Sequence, residues 1–378
     1  MRSRTRKLSH PIMSLLGNKR WQFISIPLFA IVCSFIAASI IILIMGKNPL
    51  SAFYSLLQGG GFLPKPNYAA YKSVFTDFMD TMDALAVMIL ASLSVVAAFR
   101  AGLFNIGVSG QMLLSGFVAT VLIGYSDLPS AIAKPLVIVI GIVVGALVGA
   151  LIGYLKHKFN INEVVAAIML NYLFQYTISY VINTRLADPV SRQSREISTA
   201  ARLTLVGVQL GGIKMRVPLA IILAILCAIA LLLFFTKTKQ GYEMKAVGLN
   251  MVSSRYAGIN TGKTTVVSMI MSGALAGLAG TSYYLGYYAS IQPNVLSSTG
   301  FDSIAVALLG NSHPIGVIFS SLLITALSRG GTYMSSIVGI RQEISSLIVG
   351  IILLFSACGS YIRHIVDQYD YKSERGQS

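Results

Sequence analysis

The chain has 378 residues, 55% of them hydrophobic and only 11% charged, with a net charge of +16 at neutral pH. A soluble domain carries about 25% charged residues, and so few charges cannot cover a water-exposed surface, whereas lipid-facing surface needs none. The basic excess lies between apolar runs rather than on one patch, which argues against nucleic acid as the partner and for a membrane.

Crossing the hydrocarbon core takes about 20 apolar residues of helix. Residues 1–21 form a basic tail with Arg2, Arg4, Arg6, Lys7, Lys19 and Arg20 and no acid. The tail is too basic, and too far from a small-residue cleavage site, to be a removed signal, and it reads as cytoplasmic. The charge-free run 23–45 is the first span. The external stretch 49–83 holds the turn signals Gly59-Gly60-Gly61 and Pro64-Lys65-Pro66, with a short interfacial helix expected over 52–57. Further spans are expected at 84–99, 103–125, 135–155, 164–183, 217–236 and 264–300. Gly310-Asn311-Ser312-His313-Pro314 breaks the run 303–328 into a short helix, a turn and a second helix. A last span is expected over 344–362, followed by a cytoplasmic tail, 363–378.

The expectation is an all-α, polytopic membrane domain over 22–362 with about ten helices and both termini cytoplasmic. The cytoplasmic segments then hold 17 of the 29 Lys and Arg. Six of the outside 12 lie in one loop, from Arg185 to Arg216. That excess runs against the orientation rule; it fits a platform for an acidic partner or a plain solvated loop. The longest internal loop is 237–263.

Gly141, Gly145, Gly149 and Gly153 recur every four residues, so they share one helix face and admit another backbone at close range. Gly273 and Gly277 form a weaker pair. Tyr283, Tyr284, Tyr287 and Tyr288 stand at one helix end, where an interfacial aromatic belt is the expectation and stacking on a ring-shaped solute the alternative. Ala257 to Thr264 reads A-G-I-N-T-G-K-T, a loose phosphate-loop pattern. It lacks the first glycine and precedes a membrane span, so ATP is not expected there.

Cys33, Cys227 and Cys358 sit singly in apolar runs, and only four His occur, so neither a metal site nor catalysis in this chain is indicated. An ion-coupled secondary transporter of a small polar solute is the alternative to the reading below. Such carriers place acids deep in a span, whereas Asp83, Glu163, Asp302 and Glu343 stand at span ends. Polar residues at span-breaking positions mark the expected path: Asn105, Gln111, Asn171, Asp302 and Asn311. Amides can bind hydroxyls or bases without a buried charge; they can equally satisfy broken backbone.

Residues 98–116, A-F-R-A-G-L-F-N-I-G-V-S-G-Q-M-L-L-S-G, resemble a segment of the permease subunits of bacterial ABC importers for nucleosides and simple sugars. The wider group includes the ribose and branched-chain amino-acid permeases. Asn162-Glu163-Val164-Val165 with Ile168-Met169-Leu170-Asn171-Tyr172, and Gly300-Phe301-Asp302 through Pro314, are similar to two further family stretches. Gly248-Leu249-Asn250 with Tyr256-Ala257-Gly258-Ile259 resembles the family's cytoplasmic coupling loop. Ser109 stands where nucleoside-type members often have Glu.

The resemblance implies an ATP-driven importer in the bacterial cell membrane. It implies no cofactor in this chain, with ATP and magnesium on a partner ABC ATPase. The other implied partners are a second permease, a different paralogue, and an extracellular lipoprotein that binds the solute. Contact with the ATPase is expected from Glu243, Met244, Gly248, Asn250, Tyr256, Ala257 and Gly258, with apolar Met244, Val247, Met251 and Tyr256 docking into a partner groove.

Overall fold

The computed structural model describes residues 22–339, apart from 70 and 211, together with 346–348, 350–351 and 354. The two basic tails and most of the span expected over 344–362 lie outside the described residues.

The first helix, α1 (Gln22–Ile44), is followed by α2 (Pro49–Gly59), which Asn48 caps through its side chain and which turns back from α1 by 116°. It supplies the short helix expected over 52–57. Next come α3 (Val74–Phe99), α4 (Val108–Ala119), α5 (Ser130–Phe159) and α6 (Glu163–Val181). A two-stranded antiparallel hairpin, β1 (Thr204–Leu210) and β2 (Ile213–Pro218), interrupts the helices. Then follow α7 (Ala220–Lys237), α8 (Lys239–Leu249), α9 (Met251–Tyr256), α10 (Thr261–Ser282), α11 (Thr299–Leu309) and α12 (Pro314–Val338). π-helical turns extend α4 to Gly124, α6 to Leu186 and α10 to Tyr288.

Among the described residues, six helices are long and apolar enough to cross a membrane, or seven if α1 and α2 form one bent span. The expected count of about ten is therefore not confirmed among the described residues. Part of the difference is a change of kind: α4 and α11 are shorter apolar helices that begin partway through the bundle. The bundle has a loop face, carrying α8 and α9, and a hairpin face, carrying β1 and β2.

α3 is the central span. Every residue from Leu85 to Ala98 is buried, as befits a helix that is apolar on all sides. By contrast α7 exposes Ile222, Ile225, Leu226, Ile229 and Leu233, a surface suited to lipid or to another apolar chain. The glycines of α5 meet α10 of the same chain, running antiparallel. A Cβ on Gly145 would fall on the Gly273 carbonyl, one on Gly149 on the Met269 carbonyl, and one on Gly141 against Thr281 and Gly277. The Gly273–Gly277 pair is thus the partner of the α5 stripe. Two backbones touch there because neither carries side chains at the contact.

The hairpin accounts for part of the arginine excess. Thr204 donates its hydroxyl to both carboxylate oxygens of buried Asp83 on α3, at 3.0 and 2.9 Å. Arg202 is buried and donates to the Gly286 carbonyl at 3.2 Å, and the Leu203 amide donates to the Leu285 carbonyl at 3.0 Å. Arg216 lies 3.9 Å from Asp80. Arg185, Arg192, Arg195 and Lys214 remain exposed.

Replacing Gly145 by Leu forces α5 and α10 apart, and overpacking of this kind costs about 1–3 kcal/mol or more. We expect a lower melting temperature in detergent for Gly145→Leu and no change for Gly350→Ala, whose added methyl meets nothing within 4 Å among the described residues.

Candidate functional site

Two segments enter the bundle as irregular backbone and only then become helix. After α3 ends, the chain turns at Gly102 (φ +72°) and runs inward over 103–107 before α4 begins at Val108. After the π turn of α10, Ala289 takes a left-handed φ of +63°, and 289–298 runs inward from the hairpin face to the start of α11. The expected spans 103–125 and 264–300 are therefore each partly non-helical. The two helix starts meet: Ser109 donates its hydroxyl to the Ser297 carbonyl at 2.9 Å, and Gly300 packs against Ser109. From there α4 runs to the hairpin face and α11 to the loop face, and α12 returns across the bundle.

Backbone polar groups at this depth must find partners inside the protein. The amide side chains of the first segment supply them. Asn105 donates to Ser272 Oγ at 2.7 Å and to Gln111 Oε1 at 3.0 Å, and accepts from the Gly107 amide at 2.9 Å. Ser272, near the middle of α10, donates to the Ser94 carbonyl at 2.8 Å. Asn171 on α6 accepts from the Gly110 amide at 3.0 Å and donates to the Ile106 carbonyl at 3.1 Å. The second segment is tied to α6: the Asn294 amide donates to Ser179 Oγ at 2.7 Å, and Gln175 donates to the Asn294 carbonyl at 2.8 Å.

A cavity of about 140 Å³ lies beside the start of α11, between α3, α10, α11 and α12. It is lined by Tyr283, Tyr287, Tyr288, Asp302, Thr325 and Arg329. Arg329 donates to Tyr287 Oη at 2.7 Å and lies 5.8 Å from the centre of that ring. The sequence signal for Arg329 is a cation on a helix, but ending that span at Ser328 puts it outside. The helix in fact continues to Val338 and encloses it.

Of the five residues expected along a path, Asp302 lines this cavity, while Asn105, Gln111 and Asn171 are buried and engaged in holding the first segment. Asn311 sits in the α11–α12 turn with φ +54°. The tyrosines do not form a surface belt: Tyr284 is buried against Gly116, Tyr283 and Tyr287 line the cavity, and Tyr288 is half exposed.

The loop 237–263 folds as α8 and α9. Met244 and Val247 are buried against the bundle and so are not free to enter a partner's groove. Glu243 lies 3.8 Å from Lys239, and Asn250 caps α9 through the Ser253 amide. Leu249 (89% exposed), Val252 and Tyr256 (89%) form an apolar patch, joined by Met251, with Ala257 and Gly258 beside it. Gly248 packs on the Arg100 carbonyl and on Gly102, and Arg100 donates from Nε to the Ser312 carbonyl at 2.9 Å. One arginine thus joins α8, the start of the first inward segment and the end of α11. The loose phosphate-loop pattern is a helix start: Asn260 caps α10, with no strand before it.

Asn171→Leu leaves the Gly110 amide and Ile106 carbonyl without their partner. A buried group left unsatisfied costs about 1–3 kcal/mol, which thermal melting of the purified variant in detergent will read as a lower midpoint.

No solved structure matches the chain. Among curated relatives, the chain is 33% identical to the nucleoside ABC transporter permease protein NupB of Lactococcus lactis subsp. cremoris, over 90% of this chain and 92% of that one. It is 33% identical to the guanosine ABC transporter permease protein NupP of Bacillus subtilis, over 94% and 99%. It is 28% identical to a glucose ABC transporter permease protein of Haloferax volcanii, over 73% and 74%. A family model described as branched-chain amino acid transport system / permease component matches residues 79–357, and the chain belongs to that family of membrane permeases.

Proposed function

We propose that this chain is the membrane-spanning permease subunit of an ATP-driven importer for nucleosides, with ATP hydrolysed on a separate ABC subunit. The observation that carries this reading is identity to two nucleoside-type permeases over nearly the whole chain. The partners are an ABC ATPase on the loop face, a second and different permease, and an extracellular lipoprotein that delivers the solute. The loop face and both termini are cytoplasmic, in a bacterial cell membrane.

The geometry supports a route for coupling. The exposed apolar patch of Leu249, Val252 and Tyr256 stands on the loop 237–263, where an uncovered group of this kind marks a protein contact. A shift of α8 bears directly on Arg100 and Gly102, and through the Arg100 guanidinium on Ser312. Both broken spans are therefore reached from one docking helix. Partway along, where their helices start, the Ser109–Ser297 hydrogen bond joins them. Discontinuous helices of this kind let a solute site open to alternate sides without exposing unsatisfied backbone to lipid.

Tagged chain is expected to copurify with an ATPase. Tyr256→Asp, on a residue 89% exposed, is expected to remove that association and to reduce nucleoside uptake at least tenfold while leaving melting unchanged. Arg100→Gln is expected to keep the ATPase bound and hydrolysing while uptake falls. A bulky residue at Ala257, which is exposed, tests docking; at Gly248 it tests the packing on Arg100 as well. Uptake that follows a proton or sodium gradient with no ATPase present would refute the proposal.

A further inference from the structure

We propose that α6 and the second inward segment form one wall of the water-filled solute path, with Tyr172, Tyr176 and the chain at 294–296 facing it. The inference rests on the permease reading above and adds to it the side of the bundle along which the solute moves.

α6 fixes the depth. With its π turn it runs from Glu163 to Leu186, 24 residues whose middle falls between Phe174 and Gln175. At a rise of about 1.5 Å per residue, residues 172–179 lie within about 7 Å of that middle, whereas the hydrocarbon core reaches about 15 Å to either side. Gln175 and Ser179 both bond the backbone of Asn294, so the second inward segment passes at the same depth.

This chain does not close over the segment there. Asn294 is exposed, and Val295 is 46% exposed. Among the described residues, the Val295 carbonyl and both the amide and the carbonyl of Leu296 have no hydrogen-bond partner. Irregular backbone is tolerated at membrane depth only where protein buries it or where it lines a water-filled space. Lipid is therefore excluded from this face.

The neighbouring side chains point to water. Tyr172 stands three residues before Gln175, and Tyr176 three before Ser179, so both border the segment on the helix surface. They are 52% and 64% exposed, and their rings stack 6.3 Å apart with 18° between the planes. Tyrosine favours membrane interfaces, where its ring is covered and its hydroxyl is wet; at mid-span that hydroxyl has no partner in lipid. At matching depth α5 exposes Val143 and Leu147, and α7 exposes Leu226 and Ile229, all aliphatic. Water meets the phenol hydroxyls and the open backbone groups together. The stacked rings add a flat surface for a solute that carries a planar ring, with no fixed hydrogen bond to hold it back.

The test is water access. Cys33, Cys227 and Cys358 are replaced by Ala, and single cysteines are then introduced. Tyr176→Cys and Val295→Cys lie on the proposed wall; Leu147→Cys and Leu226→Cys lie at matching depth elsewhere. Membrane vesicles holding the complete transporter meet a charged, membrane-impermeant methanethiosulfonate on both sides. The reagent attacks the thiolate, which an apolar environment suppresses. Modification at positions 176 and 295 is expected to be at least tenfold faster than at 147 and 226. Equal rates overturn the assignment. So does protection of 176 and 295, whether lipid or a dry contact with the second permease covers them. Tyr172→Cys serves if either wall variant fails to assemble with the ATPase. In the same vesicles Val295→Trp is expected to cut nucleoside uptake at least tenfold with the ATPase still bound, while Leu147→Trp leaves uptake unchanged; equal uptake in the two overturns the assignment as well. Labelling needs no transported solute, so a wild type that imports no nucleoside removes the nucleoside reading and leaves the labelling result to decide the wall.

Discussion

Irregular backbone at the depth of a membrane span must be enclosed and hydrogen-bonded by protein, because lipid offers it no partner. Residues 103–107 and 289–298 impose that requirement twice. The amides of Asn105 and Asn171 hold the first segment, and Ser179, Gln175 and Ser194 hold the second. α3 is buried from Leu85 to Ala98 because it backs both segments and the helices that follow them. The glycine contact between α5 and α10 keeps the enclosure tight, since side chains there would hold the two backbones apart.

The same construction brings two helix starts together inside the bundle. Helices that start inside a bundle bring their first turns, with exposed amide groups and polar side chains, to a depth where a continuous span presents only apolar surface. Here α4 and α11 start against one another, and the Ser109 hydroxyl donates to the Ser297 carbonyl. The cavity with its tyrosines, Asp302 and Arg329 lies beside that junction. Arg100 ties the loop-face ends of both broken spans to α8, and the hairpin grips the π turn of α10 from the other side, through Leu203 and Arg202. Contacts from the loop face and from the hairpin face therefore both reach helices that line the cavity. π turns at the ends of helices are frequent at functional sites, and the one spanning Tyr283–Tyr288 sets the spacing of the three rings.

Residues that look alike in sequence have separate duties here. Asn105, Gln111, Asn171 and Asp302 are all polar groups at breaks in apolar runs. Three of them satisfy backbone or one another, and one faces open space. Burial alone does not separate these roles; the difference is whether a neighbouring segment supplies the partners. The arginines of 185–216 divide in the same way. Arg202 and Arg216 approach the carbonyl of Gly286 and the acid Asp80, while Arg185, Arg192 and Arg195 face water.

The amino-acid sequence by itself determined the solvent, the helical class, the glycine seam of α5, the break at 310–314 and the loop 237–263, because each follows from local composition or spacing. The motifs around Asn105 and Asp302 adjoin the two irregular segments, which the sequence reads as parts of continuous spans. Only the tertiary structure decided that 103–107 is non-helical, since Leu103 to Ile106 are as compatible with helix as with extended chain, whereas Pro293-Asn294 is a break signal within 289–298. The outcome there depends on partners distant in sequence: Ser272 is 167 residues from Asn105, and Ser297 is 188 from Ser109. The cavity is a property of tertiary packing for the same reason, as its walls come from four helices whose residues no spacing rule brings together.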